Sequence, residues 1–258
     1  MQIIFNKYHG TGNDFIIVDN REDKIKPDNE NLIKYLCNRH TGVGADGLIL
    51  VYDHEIHDFE MKYFNSDGRE STMCGNGGRC AVAFAEKTGL GKGTGSFLAT
   101  DGLHKYKISN DVISISLCDA RPPAIIGGNH FIDTGSPHYI INVPDCKKIN
   151  VLEKGRSIRW SDIFTPGGIN VNFVEHTADG IFVRTYERGV ENETLSCGTG
   201  VTAAAISSKW NKGYGKYNVN VDTPGGKLSV SFELGEKLIT GIYLSGPAVF
   251  VFAGVSEI

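Results

Sequence analysis

Apolar and polar residues alternate with a period of two over Val112–Leu117 and again over Leu228–Leu234, the spacing of a strand with one buried face. Residues 28–38 follow a helical spacing instead. Leu32, Ile33, Leu36 and Cys37 fall on one face there, with Asp28 or Asn29 placed to cap the start. Two other stretches obey neither rule. Cys80–Ala85 and Val201–Ile206 are small or apolar on nearly every side, and a helix apolar all round has to be enclosed. Strand-like segments flank both, so each predicts a sheet wrapped around a central helix.

These two helices lie in related surroundings. Sliding the sequence over itself by 123 positions aligns Thr11-Gly12 with Thr134-Gly135, Tyr63 with Tyr186 and Glu70 with Glu193. It also aligns Cys74-Gly75-Asn76-Gly77 with Cys197-Gly198-Thr199-Gly200, and Gly102 with Gly225, beyond which the register drifts. A shared Glu-[Ser/Thr]-x-x-Cys-Gly-x-Gly predicts two homologous halves. The expected fold is α+β: two pseudo-symmetric domains, 1–118 and 119–247, each a curved, mostly antiparallel, barrel-like sheet around a central helix.

Composition narrows the function. With 258 residues, 40% hydrophobic and 22% charged, the chain reads as a soluble globular protein. Its net charge of −4 argues against a nucleic-acid or anionic-membrane partner, which calls for a basic excess. No apolar run approaches the ~18 residues of a membrane span, and the opening MQIIFNKYHGTGNDF lacks the order of a signal peptide. Six scattered cysteines without such a signal predict a cytoplasmic location. Glycine is the outlier: 32 residues, against a usual ~7% of a chain.

The candidate chemistry sits where each central helix begins. Glycines there leave first-turn amides facing outward, and about four N–H groups have no partner within a helix. That end suits a carboxylate or a thiolate, and a cysteine placed there has its pKa lowered from about 8.5. Two such cysteines, Cys74 and Cys197, at matching positions of two repeats suggest paired acid–base groups. If the halves face each other, one thiol removes a proton from a carbon while the other delivers one to the opposite face. A helix-end donor aimed at the developing charge is typically worth ~3–4 kcal/mol. A redox pair, or two cysteines that merely pack, are the alternatives.

At this point the sequence resembles the diaminopimelate epimerase family. The residues that carry the resemblance include His9-Gly-Thr-Gly-Asn-Asp-Phe15, Phe64-Asn-Ser-Asp-Gly68, Met73-Cys-Gly-Asn-Gly77, Gly135-Ser-Pro-His138, Asn170-Val-Asn-Phe173, Tyr186-Glu-Arg-Gly189 and Glu193-Thr-Leu-Ser-Cys-Gly-Thr-Gly200. They run in family order along essentially the whole chain. The resemblance implies an epimerase free of pyridoxal phosphate and metal that interconverts LL- and meso-diaminopimelate, a small-molecule substrate, on the route to lysine and peptidoglycan precursors. It implies that Cys197 accepts and Cys74 donates in the LL-to-meso direction. Gly75, Asn76, Gly198 and Thr199 would grip the reacting carboxylate, while Asn13, Asn65, Asn170, Glu187 and Arg188 would hold the amino groups and the far carboxylate. It further implies a final strand, 248–258, returning to the first domain, and by analogy a homodimer. The runner-up is a proline or hydroxyproline racemase-like relative, and a thiol redox or binding protein is the third reading.

Gly47 and Ser136 depart from the family pattern, which has Gln in some members and Asn in many; water is expected to fill the space they leave. One extra residue lies within Val190–Glu193. His138 reads as structural. Gly42-Val-Gly-Ala-Asp-Gly47 spells the dinucleotide fingerprint, but with helix before and strand after, the reverse of what that motif requires. Asp53, His54, His57 and Asp58 read as a solvated loop and not a metal site. Cys80 reads as core, and Cys37, Cys118 and Cys146 show no partner spacing.

Overall fold

The computed structural model describes residues 2–258, and these divide into two compact units. The first runs up to Ile115 and is joined by Gly246–Ile258; the second is Ser116–Ser245. In chain order the first unit is β1 (Gln2–Gly10), β2 (Asn13–Asp19), α1 (Glu30–Cys37), β3 (Gly47–Tyr52), β4 (Phe59–Asn65), β5 (Glu70–Ser71), α2 (Gly75–Thr88), β6 (Thr94–Ala99), β7 (Gly102–Ser109) and β8 (Val112–Ser116). The second is β9 (Ala124–Ile126), β10 (Asn129–Asp133), β11 (Pro137–Asn142), α3 (Val151–Arg159), β12 (Asn170–His176), β13 (Gly180–Glu187), β14 (Asn192–Thr194), α4 (Gly198–Lys209), β15 (Gly215–Thr223), β16 (Gly226–Leu234) and β17 (Ile239–Gly246). A last strand, β18 (Val249–Glu257), belongs to the first unit, where it pairs with β1.

The strand pairings repeat. In the first unit β1–β2, β3–β4 and β6–β7 are antiparallel while β2–β3 and β4–β6 are parallel. In the second, β10–β11, β12–β13 and β15–β16 are antiparallel while β11–β12 and β13–β15 are parallel. Each parallel junction brackets a helix, as a crossover requires. The duplication read from the sequence is therefore a duplication of topology, in an α+β protein with mostly antiparallel sheets.

Each helix forms for a local reason. Asn29 caps α1, its Oδ1 accepting from the Leu32 amide at 3.2 Å, and Ile33, Leu36 and Cys37 are the buried face, as the helical spacing predicted. Helix α2 is buried at Gly75–Val82, Phe84 and Ala85 and packs on β1–β4. Helix α4 is buried from Gly200 to Ser207 and packs on β10–β13. With helices on both faces, β2 and β3 read as continuous apolar runs, Phe15–Val18 and Leu48–Val51, rather than alternating. Among the described residues no helix is long and apolar enough to cross a membrane.

Candidate functional site

In the first unit a two-residue turn, Thr11 and Gly12 with φ of 49° and 86°, joins β1 to β2 in the left-handed geometry favoured by hairpins. It sets Asn13 at the head of β2. Cys74 is the N-cap of α2, extended and making no side-chain cap bond. Its Sγ lies 3.5 Å from Asn13 Oδ1. Charged groups fix the amides around it. Asn13 Nδ2 donates to the Asp46 carboxylate at 2.7 Å, so Oδ1 turns to the thiol and to Asn76 Nδ2, at 3.3 Å. Asp46 is anchored in turn by Arg39, which also binds Asp14.

Asn76 is fully buried, and its Oδ1 accepts from Arg79 Nη2 at 2.8 Å. Arg79 has no exposed surface either, and it also donates from Nη1 to Gly75 O (3.2 Å) and from Nε to Pro247 O (3.4 Å). Burial lowers its guanidinium from 12.5 to about 10, which leaves it cationic at neutral pH. Burial pushes the Cys37, Cys80 and Cys146 thiols up to about 12. Those three are protonated core groups, as the sequence predicted for Cys80.

Asn65 ends β4 opposite Gly47 of β3. Tyr63 Oη donates to Asn65 Oδ1 at 2.9 Å, leaving the amide NH2 as the outward donor. The space beside Gly47 is not open to water, contrary to the expectation above. A Cβ there would meet the Tyr63 ring at 2.5 Å and Phe64 O at 2.6 Å. Because the second contact is backbone, Gly47→Gln is expected to cost about 1–3 kcal/mol as overpacking, and to displace Tyr63 from Asn65. Thermal unfolding and KM read this together: a lowered melting temperature with a raised KM is expected, and an unchanged melting temperature would show that β4 yields.

The second unit repeats the plan with different side chains. Cys197 is the N-cap of α4, again extended and without a side-chain cap bond. Its Sγ lies 3.6 Å from Thr199 Oγ1. Thr199 is gripped twice, by His138 Nε2 at its hydroxyl and by Thr134 Oγ1 at its carbonyl, both at 2.8 Å. Asn170 braces three segments: its Nδ2 donates to Ser136 Oγ (2.8 Å) and Pro137 O (2.9 Å), and its Oδ1 accepts from the Arg188 amide (2.8 Å). Ser136 is thereby engaged by protein. Glu187 Oε2 accepts from Thr194 at 2.8 Å, and the exposed Arg188 guanidinium has no ion-pair partner among the described residues. The extra residue falls in the turn after β13, where Glu191 (φ 58°) binds Arg159.

Burial, and after it the charge of Arg188, pushes the His138 imidazolium down to about 3. Its folded value lies below the ordinary 6.5, so between the two the unfolded chain binds more protons. Stability contributed by this group is present above about pH 6.5 and is lost as pH falls toward 3. His138→Gln should flatten that part of the stability–pH curve, as measured by urea unfolding from pH 4 to 7.

The other motifs resolve as structure. The Val43 and Gly44 amides donate to Leu36 O and the Ala45 amide to Cys37 O, so the glycine-rich loop closes the end of α1 and keeps no amides for phosphate. Asp58 is engaged by the Ser96 amide and by Tyr106. No group of three or more potential metal ligands occurs among the described residues. Sequence reading missed Asp46, Tyr63, Arg79, Thr134 and Asn172. For Asn172 a signal existed: it is polar where the position 123 residues earlier holds Ile49.

A family profile described as diaminopimelate epimerase matches residues 5–115 and 130–251. The chain is 48% identical over 248 residues to the diaminopimelate epimerase of Flavobacterium psychrophilum, covering 95% of this chain and 97% of that one. It is 40% identical to that of Aquifex aeolicus, covering 97% and 96%. Among solved structures it resembles a PhzF-family phenazine biosynthesis protein of Bacillus anthracis (TM-score 0.81, 16% identity, all of both chains). It also resembles a hydroxyproline epimerase of Agrobacterium vitis (TM-score 0.72, 11% identity, 98% and 92%). At such identities the likeness is one of fold.

Proposed function

This chain belongs to the diaminopimelate epimerase family, and on that premise we propose that Cys74 and Cys197 are the thiols that exchange the α-proton. The chain is an isomerase that interconverts LL- and meso-diaminopimelate in lysine biosynthesis. One observation supports the choice of residues above the rest. Each thiol is the N-cap of an enclosed helix, and neither makes a side-chain bond to cap it.

Inversion at carbon needs a proton taken from one face and another given to the opposite face. In the LL-to-meso direction Cys197 accepts and Cys74 donates; in reverse the roles exchange. The first-turn amides at Gly75-Asn76 and Gly198-Thr199 hold the carboxylate beside the reacting carbon, where the helix ends favour the charge that develops. Asn13, Asn65, Asn170, Glu187 and Arg188 bind the distant ammonium and carboxylate. Arg188 suits the latter because a guanidinium presents a planar fork to a carboxylate, and its own has no ion-pair partner among the described residues.

The test is incubation in D2O with diaminopimelate and, separately, with proline. α-Deuteration of diaminopimelate alone is expected. Deuteration of proline alone would favour the racemase-like reading, and labelling of neither would leave a thiol protein without epimerase activity.

The proposal extends to location and assembly. None of the six cysteines is in a disulfide, which supports a reducing, cytoplasmic location. Strand β18, with Val249, Phe250, Val251 and Phe252 all more than 40% exposed, is the kind of apolar edge that proteins cover. A second copy of the chain is the proposed cover. Sedimentation should show a dimer that Val251→Lys converts to monomer.

A further inference from the structure

Beneath each enclosed helix two neighbouring strands meet in the same register, yet they carry different side chains. Ile49 of β3 lies under Gly77 and pairs with Tyr63 of β4. Asn172 of β12 lies under Gly200 and pairs with Thr185 of β13. Tyr63 and Thr185 therefore hold equivalent places. Two residues before Ile49 and Asn172, on the same faces because side chains alternate along a strand, stand Gly47 and Asn170. The second unit puts its longer polar side chain on the first strand of the pair, at Asn170, and the short Thr185 on the neighbour. The first unit reverses the order, with no side chain at Gly47 and a tyrosine at 63.

The glycine is what admits the ring. A Cβ on Gly47 would stand 2.5 Å from Tyr63 Cε2 and 3.1 Å from its Oη, so the phenol crosses the space that a side chain at 47 would fill. Phe15, the neighbour of Gly47 on β2, packs edge-on against the ring with centroids 5.9 Å apart, and Tyr63 is only 9% exposed. The ring is held in place on both counts. Its Oη reaches Asn65, which stands opposite Gly47 in the ladder, and donates to Asn65 Oδ1 at 2.9 Å. Asn65 itself is exposed. An exposed amide without such a bond turns freely and presents oxygen or nitrogen alike.

We propose that Tyr63 is a positioning residue for the far end of the substrate: its hydroxyl, delivered across Gly47, holds Asn65 with the amide NH2 outward. An NH2 group so held suits a carboxylate oxygen and not an ammonium, which has only hydrogens to offer. Fixing the amide before the substrate arrives also spares the cost of ordering it on binding. Tyr63 neither gives nor takes the substrate's α-proton. The inference rests on the reading that Asn65 holds the far end of diaminopimelate.

The test uses the full-length protein and diaminopimelate, with melting temperatures measured alongside. Tyr63→Phe keeps the ring and removes only the hydroxyl. It is expected to raise KM about fivefold, the usual worth of one neutral hydrogen bond, with kcat within about twofold and the melting temperature nearly unchanged. Asn65→Ala raises KM by itself, and in that background Tyr63→Phe should add nothing, because the group it positions is gone. The inhibition constant of 2-aminopimelate, which keeps the far carboxylate and lacks the far ammonium, should rise with KM. An unchanged KM in Tyr63→Phe overturns the inference, and so does an equal effect of Tyr63→Phe with and without Asn65. An inhibition constant that stays put while KM rises overturns the outward NH2. If Asn65→Ala leaves KM unchanged, Asn65 is no substrate contact, and that reading falls together with the inference. The thiol assignment, which deuteration reports, is decided separately from all of these outcomes.

Discussion

Replacing either Cys74 or Cys197 by alanine is expected to lower the epimerisation rate by about 10²–10⁴-fold, the usual worth of a positioned acid or base, with folding intact. The reason is stereochemical. On the proposed mechanism each thiol serves one face of the α-carbon, so neither can cover for the other, and the two single losses should be similar in size. Neither side chain caps its helix, so the helices do not depend on the sulfurs. Serine in place of either cysteine is the sharper control, since it keeps a polar group of similar size that does not ionise near neutrality. Initial rates in both directions, alongside melting temperatures, check this. A serine variant with more than about a tenth of wild-type rate would remove that cysteine from the mechanism.

Gly200→Ala should show the second largest effect, and Gly77→Ala, its counterpart, a small one. A Cβ on Gly200 would stand 2.4 Å from Asn172 Oδ1 and 3.2 Å from the His138 ring. Asn172 cannot give way, because Thr185 and Tyr139 hold its two ends. On Gly77 the nearest atoms are side-chain carbons of Ile49 and Phe15, at 3.2 and 3.4 Å, which yield by a few tenths of an ångström. Gly200→Ala is therefore expected to cost about 2–3 kcal/mol of overpacking and broken polar contact, or several degrees of melting temperature in a chain of this length. It should also reduce kcat by breaking the link from His138 to Thr199. Equal melting temperatures for the two alanine variants would show that α4 shifts to make room.

The duplication was legible because it preserves local signals: the Cys-Gly-x-Gly starts, the apolar helices and the alternating strands all recur at one offset. The thiols were legible for the same reason, since a single cysteine at a helix start says little and two in register say a good deal. What escaped was contact across sequence distance. Nothing in the composition near Gly47 shows that the Tyr63 ring fills the space beside it, because that depends on strand register. The support of Asn76 by Arg79 and of Asn13 by Asp46 is equally invisible along the chain. His138 reads as structural because helix ends suffice to lower a thiol pKa; its partners, Asn172 on one nitrogen and Thr199 on the other, are invisible along the chain.

The pairing of β1 with β18 along Gln2–His9 and Val249–Glu257 also bears on how the nascent chain acquires its form. The second unit is one unbroken stretch, Ser116–Ser245, and has every strand it needs before β18 leaves the ribosome. The first unit begins earlier yet waits longer, with β1 lacking one neighbour until translation has passed Glu257. Through that interval its apolar strands are the ones that chaperones would find. A released chain truncated before residue 249 should keep a protease-resistant second unit attached to a first unit that is still cleavable.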